Sequence, residues 1–223
     1  NLNSFVNKFG AGDNGTLLIT TNNGYTFTHH DSLFINNNLN CINFLSGNLF
    51  GTIVGDNGII LYAVSTNWLQ QNSGTTANLN GISGGRINSP VISYWRVAVG
   101  DNGTVIRSTN SSGFNWADWY DVTSPVSQNL NSVSMNGFKG WIVGDNGTLL
   151  LSSDRGVNWT LINSGVNNNL NCVLFSDTLN GWITGSNGLI MKSTNGGLNW
   201  NIKPSGTTAN LKSFLPYSSV GSN

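Results

Sequence analysis

The tetrapeptide Gly-Asp-Asn-Gly stands at 12–15, 55–58, 100–103 and 144–147, and a variant, Gly-Ser-Asn-Gly, at 185–188. Repetition at such an interval restricts the chain to self-similar units, each burying its apolar face on the next. A second marker, Asn-Leu-Asn, begins at 1, 38, 78, 129 and 169, with Asn-Leu-Lys at 210, giving spacings of 37, 40, 51, 40 and 41 residues. A third follows each tetrapeptide: TTNNGYTF at 20–27, STNSSGFNW at 108–116, SSDRGVNW at 152–159 and STNGGLNW at 193–200, with only STNW at 65–68 in the second repeat.

A period near 40 residues fits either propeller blades or helical arrays, and local periodicity decides between them. Residues 129–163 read as LNSVSM, GWIVGD, TLLLSS and NWTLIN, short β-branched or aromatic runs separated by Gly, Asn or Asp. No helical stripe of useful length occurs. The expectation is all-β: a β-propeller of four-stranded antiparallel blades forming one domain over 1–223. Its repeats are 1–37, 38–77, 78–128, 129–168 and 169–209, with a partial sixth at 210–223. Residues 1–14 align without gaps on 210–223, so the chain reads as a five-bladed ring with a tail or as part of a larger ring.

In Gly-Asp-Asn-Gly, the Asn-Gly pair takes positive φ at low cost, as a tight hairpin turn requires. Asp13, Asp56, Asp101 and Asp145 are therefore structural turn residues between the second and third strands. Asp154 of SSDRGVNW is read as a turn residue between the third and fourth strands, with Trp159 opening the fourth and packing between blades.

Ser-x-Asp-x-Gly-x-x-Trp at 152–159 resembles the Asp-box of the BNR repeat, found in sialidases, sortilin-like receptors and related propellers. The longer pattern GWxVGDNGTxLxSxDxGxNW at 140–159 is similar to the propellers of the photosystem II stability and assembly factor family. That resemblance implies a seven-bladed ring with an arginine patch that binds photosystem subunits, and a thylakoid-associated setting. The arginines available here are Arg86, Arg96, Arg107 and Arg155.

Composition narrows the chemistry. All nine acidic residues are Asp, balanced by nine Lys and Arg, so the chain has no electrostatic footprint for nucleic acid. No apolar run reaches the roughly 18 residues of a membrane-spanning helix, and membrane insertion is not expected. Without Glu, the sialidase mechanism of a Tyr activated by Glu has no counterpart. The repeat-equivalent Asp residues, one per blade, are too dispersed for a calcium site, and His29 and His30 lack further zinc ligands at suitable spacing. No enzyme activity, metal or cofactor is expected. Cys41 and Cys172 share one repeat position, occupied elsewhere by Ser or Gly, and are expected as free, buried thiols.

In a repeat protein, function is sought where one copy departs from the others. The third repeat is 51 residues long, enlarged at Arg86–Trp95 and at Trp116–Gln128. These segments bring Tyr94, Trp95, Trp119, Tyr120 and Asp121, aromatic and polar groups suited to a protein hot spot or a sugar-stacking platform. They are expected on opposite faces. A non-enzymatic scaffold binding a protein partner is the first reading, extracellular or at the cell surface given the low charge. An assembly factor of the photosystem kind and a glycan-binding lectin are the alternatives.

Overall fold

The structure, a computed structural model, describes residues 8–22, 24–30, 35–45, 50–64, 67–87, 93–110 and 119–214. Its strands form five antiparallel sheets, each built from consecutive strands. The first sheet contains β1 (Lys8–Ala11), β2 (Leu17–Thr20) and β3 (Thr28–His29), and the second β4 (Leu39–Leu45), β5 (Phe50–Gly55), β6 (Ile60–Val64) and β7 (Asn67–Gln71). The third contains β8 (Leu79–Ile87), β9 (Ser93–Gly100), β10 (Val105–Asn110) and β11 (Tyr120–Asp121). The fourth contains β12 (Leu130–Asn136), β13 (Lys139–Gly144), β14 (Leu149–Ser152) and β15 (Thr160–Leu161), and the fifth β16 (Leu170–Phe175), β17 (Gly181–Gly185), β18 (Ile190–Ser193) and β19 (Asn201–Lys203). Leading strands β4, β8, β12 and β16 lie beside one another in that order and form the inner layer. This is a β-propeller, one sheet to a blade.

Each Gly-Asp-Asn-Gly joins the second and third strands of its blade. Asn57, Asn102 and Asn146 sit at φ 55°, 56° and 54°, and the glycines after them at 69°, 70° and 70°. The left-handed backbone suits Asn and Gly, and a side chain on Gly58, Gly103 or Gly147 would also collide with the carbonyl of Thr75, Val126 or Val166. The final Gly of the motif is thus required twice over.

The Asn-Leu-Asn marker proves to be the partner of that turn. The register of each first pair of strands shifts between Leu39 and Cys41, Leu79 and Gly81, Leu130 and Ser132, and Leu170 and Cys172. The second Asn of the marker is therefore a β-bulge, and a bulge re-aims its side chain. Asn40, Asn80 and Asn131 donate from Nδ2 to the Asp of their own blade's turn at 2.9, 3.0 and 3.0 Å. The same nitrogens donate to Leu79, Leu130 and Leu170 O of the following blade at 3.1, 3.1 and 3.0 Å. The first Asn completes the clasp: Asn78, Asn129 and Asn169 accept through Oδ1 the backbone N–H of Asn57, Asn102 and Asn146 in the preceding blade.

The apolar core lies between blades. Trp159 packs with Ile142 and Leu150 of its own blade and Val97 and Val99 of the one before. Trp141 stacks on Phe175 of the following blade at a centroid distance of 3.4 Å and donates Nε1 to Gly196 O at 3.0 Å. In the first blade, the position of Trp159 is filled by Phe27, which is 50% exposed where Trp68, Trp119 and Trp159 are 6–7%. Its counterparts owe their burial to a preceding blade.

Cys41 and Cys172 are free but half-buried, not fully enclosed as expected from their small-residue position. Burial, aided by Cys172, still raises the Cys41 thiol above its ordinary range, against a hydrogen bond from the Ile82 backbone.

Replacing Asn131 with Ala removes both of its clasp bonds, to Asp145 Oδ1 and to the Leu170 carbonyl, leaving Asp145 only the bond from Asn129 to Oδ2. A loss of about 1–3 kcal/mol is expected for such orphaned groups, read as a lowered urea midpoint at unchanged m-value.

Candidate functional site

Asp-box turns shape the end of the blades opposite the Gly-Asp-Asn-Gly hairpins. In the fourth blade, Asp154 Oδ1 accepts from Ser152 Oγ at 2.8 Å and from the Val157 and Asn158 amides at 3.1 and 2.9 Å. Oδ2 accepts from Asn158 Nδ2 at 2.7 Å, and Trp159 Nε1 closes the turn on Gly156 O at 3.2 Å. Burial alone would raise the Asp154 carboxyl, but bonds from Asn158, Ser152 and Val157 outweigh it and hold the group below the usual range. In the fifth blade, Asn195 accepts from Ser193 and Asn199 with no charge.

The third blade departs from the pattern. Arg107 on β10 pairs with Tyr120 on β11, as Leu151 pairs with Thr160 in the fourth blade. Trp119, not Trp116, therefore takes the position of Trp159. The extra residues lie before the fourth strand, between β10 and β11, rather than after it; Trp116 falls outside the described residues. Since Asn110 faces Tyr94 across β9 and β10, the β8–β9 and β10–β11 connections leave from one end of the blade. The expectation of opposite faces fails for that reason: the first and third connections of an antiparallel sheet share an end.

This register sorts the five candidate residues. Trp119, 6% exposed, packs with Val54 and Ile60 of the second blade and donates Nε1 to Gln71 Oε1 at 3.1 Å. Tyr94 is 6% exposed among Leu45 and Tyr62, and Trp95 is 3% exposed. Those three rings are interior. Tyr120, 44% exposed, and Asp121 remain at the surface. Alternation along β11 sends Trp119 and Asp121 toward the second blade and Tyr120 toward the fourth.

What gathers around these aromatics is arginine. All four belong to the third blade or its seams. On the second-blade side, the Arg86 guanidinium lies over the Tyr94 ring at 5.8 Å and Arg96 over Tyr62 at 4.9 Å. Complete burial pushes Arg96 down to about 9, while Tyr62 works to raise it. On the fourth-blade side, Arg107 Nη1 donates to the Tyr120 hydroxyl, and Arg107 Nε donates to Arg155 O at 3.0 Å. The Arg155 guanidinium lies over the Phe138 ring at 3.9 Å and over the Trp95 ring at 5.5 Å from the ring centres.

Arg155 holds an unusual backbone position. At φ 64°, it is left-handed without being Gly or Asn, at a cost of roughly 1–2 kcal/mol. Gly196 takes the same place in the fifth blade at φ 76°, and the amides donate alike, Arg155 to Phe138 O and Gly196 to Leu179 O, both at 2.8 Å. Arg107, Arg155 and Phe138 escaped the sequence reading of site residues. The usable signal was Arg155 standing where the next repeat has Gly196.

The stretch that carries this cluster also carries the family signal. Residues 94–167 match the model of the photosynthesis system II assembly factor YCF48. That is the family this propeller resembles. No curated protein matches the chain. YCF48 from Cyanidioschyzon merolae is 16% identical with a TM-score of 0.64, over 93% of this chain and 72% of that one. BBS1N in complex with ARL6DN is 12% identical with a TM-score of 0.59, over 90% of this chain and 64% of its own. A YCF48 bound to D1 peptide is 19% identical with a TM-score of 0.47, over 89% and 77%. At these identities the likeness concerns the propeller fold.

Two outcomes follow from the turn chemistry. A carboxylate held below its ordinary range contributes stability above its unfolded value and loses it as pH falls through the folded one. Asp154→Asn is therefore expected to lower the melting temperature at neutral pH, where the carboxylate contributes, and to reduce the further drop between neutral pH and about pH 3. Arg155→Gly relieves left-handed strain while losing a partly exposed cation–π contact of about 0.5–1 kcal/mol, so its unfolding free energy should match or exceed the parent's.

Proposed function

We propose that this chain is a non-enzymatic, protein-binding propeller working as an assembly factor of the YCF48 kind. The carrying observation is the Arg107–Tyr120–Arg155–Phe138 cluster at the seam of the third and fourth blades, within the stretch matched by the family model. Its surface parts, Tyr120 and Phe138, are 44% and 60% exposed. Exposed aromatics bordering arginine have the composition of a protein hot spot. The resemblance assigns an arginine patch to partner binding, and three of the four arginines here lie on the third blade with the fourth across its seam.

The family match favours this role over the secreted scaffold suggested by low charge. The glycan reading draws less support: a stacking platform needs open ring faces, and three of the four candidate aromatics are interior.

The test substitutes Tyr120→Ser and Phe138→Ser together, both at exposed positions. Binding to purified photosystem II assembly intermediates is expected to fall at least tenfold by surface plasmon resonance, with the melting temperature within a few degrees of the parent. Absence of binding by the parent chain would remove the assembly-factor role; equal binding by parent and variant would move the interface elsewhere.

A further inference from the structure

Ten Asn-Gly pairs occur in this chain, beginning at 14, 23, 57, 80, 102, 136, 146, 180, 187 and 195. Asn-Gly is the dipeptide most open to one reaction: the Gly nitrogen, shielded by no side chain, attacks the Asn carboxamide and expels ammonia. In a folded chain the reaction requires that the two residues can swing together and that the Gly nitrogen can lose its proton to solvent. Asn23 lies outside the described residues, which leaves nine pairs to compare.

Eight of the nine are shut by the fold, for in each of them the Gly is buried. The amides of Gly15, Gly147, Gly188 and Gly196 are also engaged, donating to Asn37, Asn168, Ala209 and Leu179 O at 2.8 Å each. Asn80 Nδ2 is spent on the clasp, and Asn180 Nδ2 donates to Asp177 Oδ2 at 2.8 Å. Asn57 and Asn102 are fixed in the left-handed hairpin turn. Asn136–Gly137 differs in every respect. Asn136 ends β12 and faces Lys139 across the last pair of its hairpin. Gly137 is exposed at φ 62°, and a Cβ placed on it would meet nothing within 4 Å. Neither the Asn136 carboxamide nor the Gly137 amide makes a hydrogen bond among the described residues. The terminal pair of a hairpin opens at little cost, so the motion that ring closure needs is available at this pair and locked at the other eight.

We propose that Asn136 is a self-modification site, converted in the folded protein to aspartate and isoaspartate through a succinimide. Gly137 N gives its proton to solvent base and bonds to Asn136 Cγ; the Cγ–Nδ2 bond breaks, and the nitrogen takes up a proton and leaves as ammonia. Water then adds to one of the two ring carbonyls and opens the ring, and nothing is oxidised or reduced. Opening one way gives aspartate. Opening the other gives isoaspartate, which routes the main chain through the side chain and lengthens it by a carbon. A two-residue hairpin is matched to the twist of its strands and has no slack for that carbon. The Asn136–Lys139 pair and the bond from the Arg155 amide to Phe138 O, 2.8 Å long, both lie at the altered tip. Either product also sets a new carboxylate close to Lys139. The reaction needs no partner and holds whether or not Phe138 meets one.

The experiment holds the full 223-residue chain folded at mildly alkaline pH and samples it over weeks. After digestion in mild acid, mass spectrometry follows each Asn-Gly peptide for the gain of about one mass unit. Conversion at Asn136 is expected to run about tenfold or more ahead of Asn57, Asn102 and Asn146, a margin set by the cost of local opening. A parallel sample in urea is the control: once unfolded, the same dipeptide should convert at similar rates wherever it stands. Asn136→Gln, whose longer side chain closes the next larger ring far more slowly, supplies the structural readout. With ageing, the Phe138 and Arg155 amide signals in ¹H–¹⁵N spectra should split in the parent and stay single in this variant. Asn136 converting no faster than the hairpin asparagines in the folded chain, a lead that survives in urea, or splitting that persists in Asn136→Gln would each overturn the site.

Discussion

One hydrogen-bonded joint underlies this molecule: the clasp between Asn-Leu-Asn at the head of one blade and Gly-Asp-Asn-Gly in the blade before. Apolar packing between sheets is strong but non-directional, and it would tolerate sliding of one sheet on another. The clasp removes that freedom. Asn80 Nδ2 holds Asp101 Oδ1 of its own blade and Leu130 O of the next, so a single side chain fixes turn, bulge and neighbour together. Where Ser186 replaces the Asp, the fifth blade keeps the bond from Asn171 to Leu211 O at 2.9 Å and takes the Asn169 amide on Ser186 Oγ at 3.1 Å.

Because the joints are alike, the differences stand out. The seam of the fourth and fifth blades is satisfied: Trp141 stacks on Phe175 and its N–H reaches Gly196 O. At the preceding seam, Val97 takes the place of Trp141, and Arg107 reaches the corresponding carbonyl, that of Arg155. An indole has been exchanged for a guanidinium in the same structural duty. The exchange introduces charge into a junction whose other hydrogen bonds across the seam are between uncharged groups.

Much of the fold could be read in the residues. Periodicity of short β-branched runs and the Asn-Gly turns implied blades and placed the hairpins, since both follow from local backbone chemistry. The clasp itself was not readable, because Asn40 and Leu79 meet only after two blades have stacked. The candidate site fared less well. Trp116 ends a string that looks like the third marker, whereas Trp119 fills the Trp position; an insertion preserves a motif's letters while moving the strand that uses it. Tyr94 and Trp95 read as part of an enlarged connection in the sequence, but β8 and β9 extend far enough to bury them. Arg107 and Arg155, 48 residues apart, share no local pattern and are joined only by the seam.

The clasp has a direction, since each turn is read by the first Asn of the unit that follows. Every link therefore presents the same socket forward and the same plug behind, and no joint carries information about its number in the series. Duplicating or losing a whole unit rewrites no existing bond partner beyond the splice. The count of blades can drift over evolutionary time, while a specialised seam, once acquired between two particular units, travels intact with that pair.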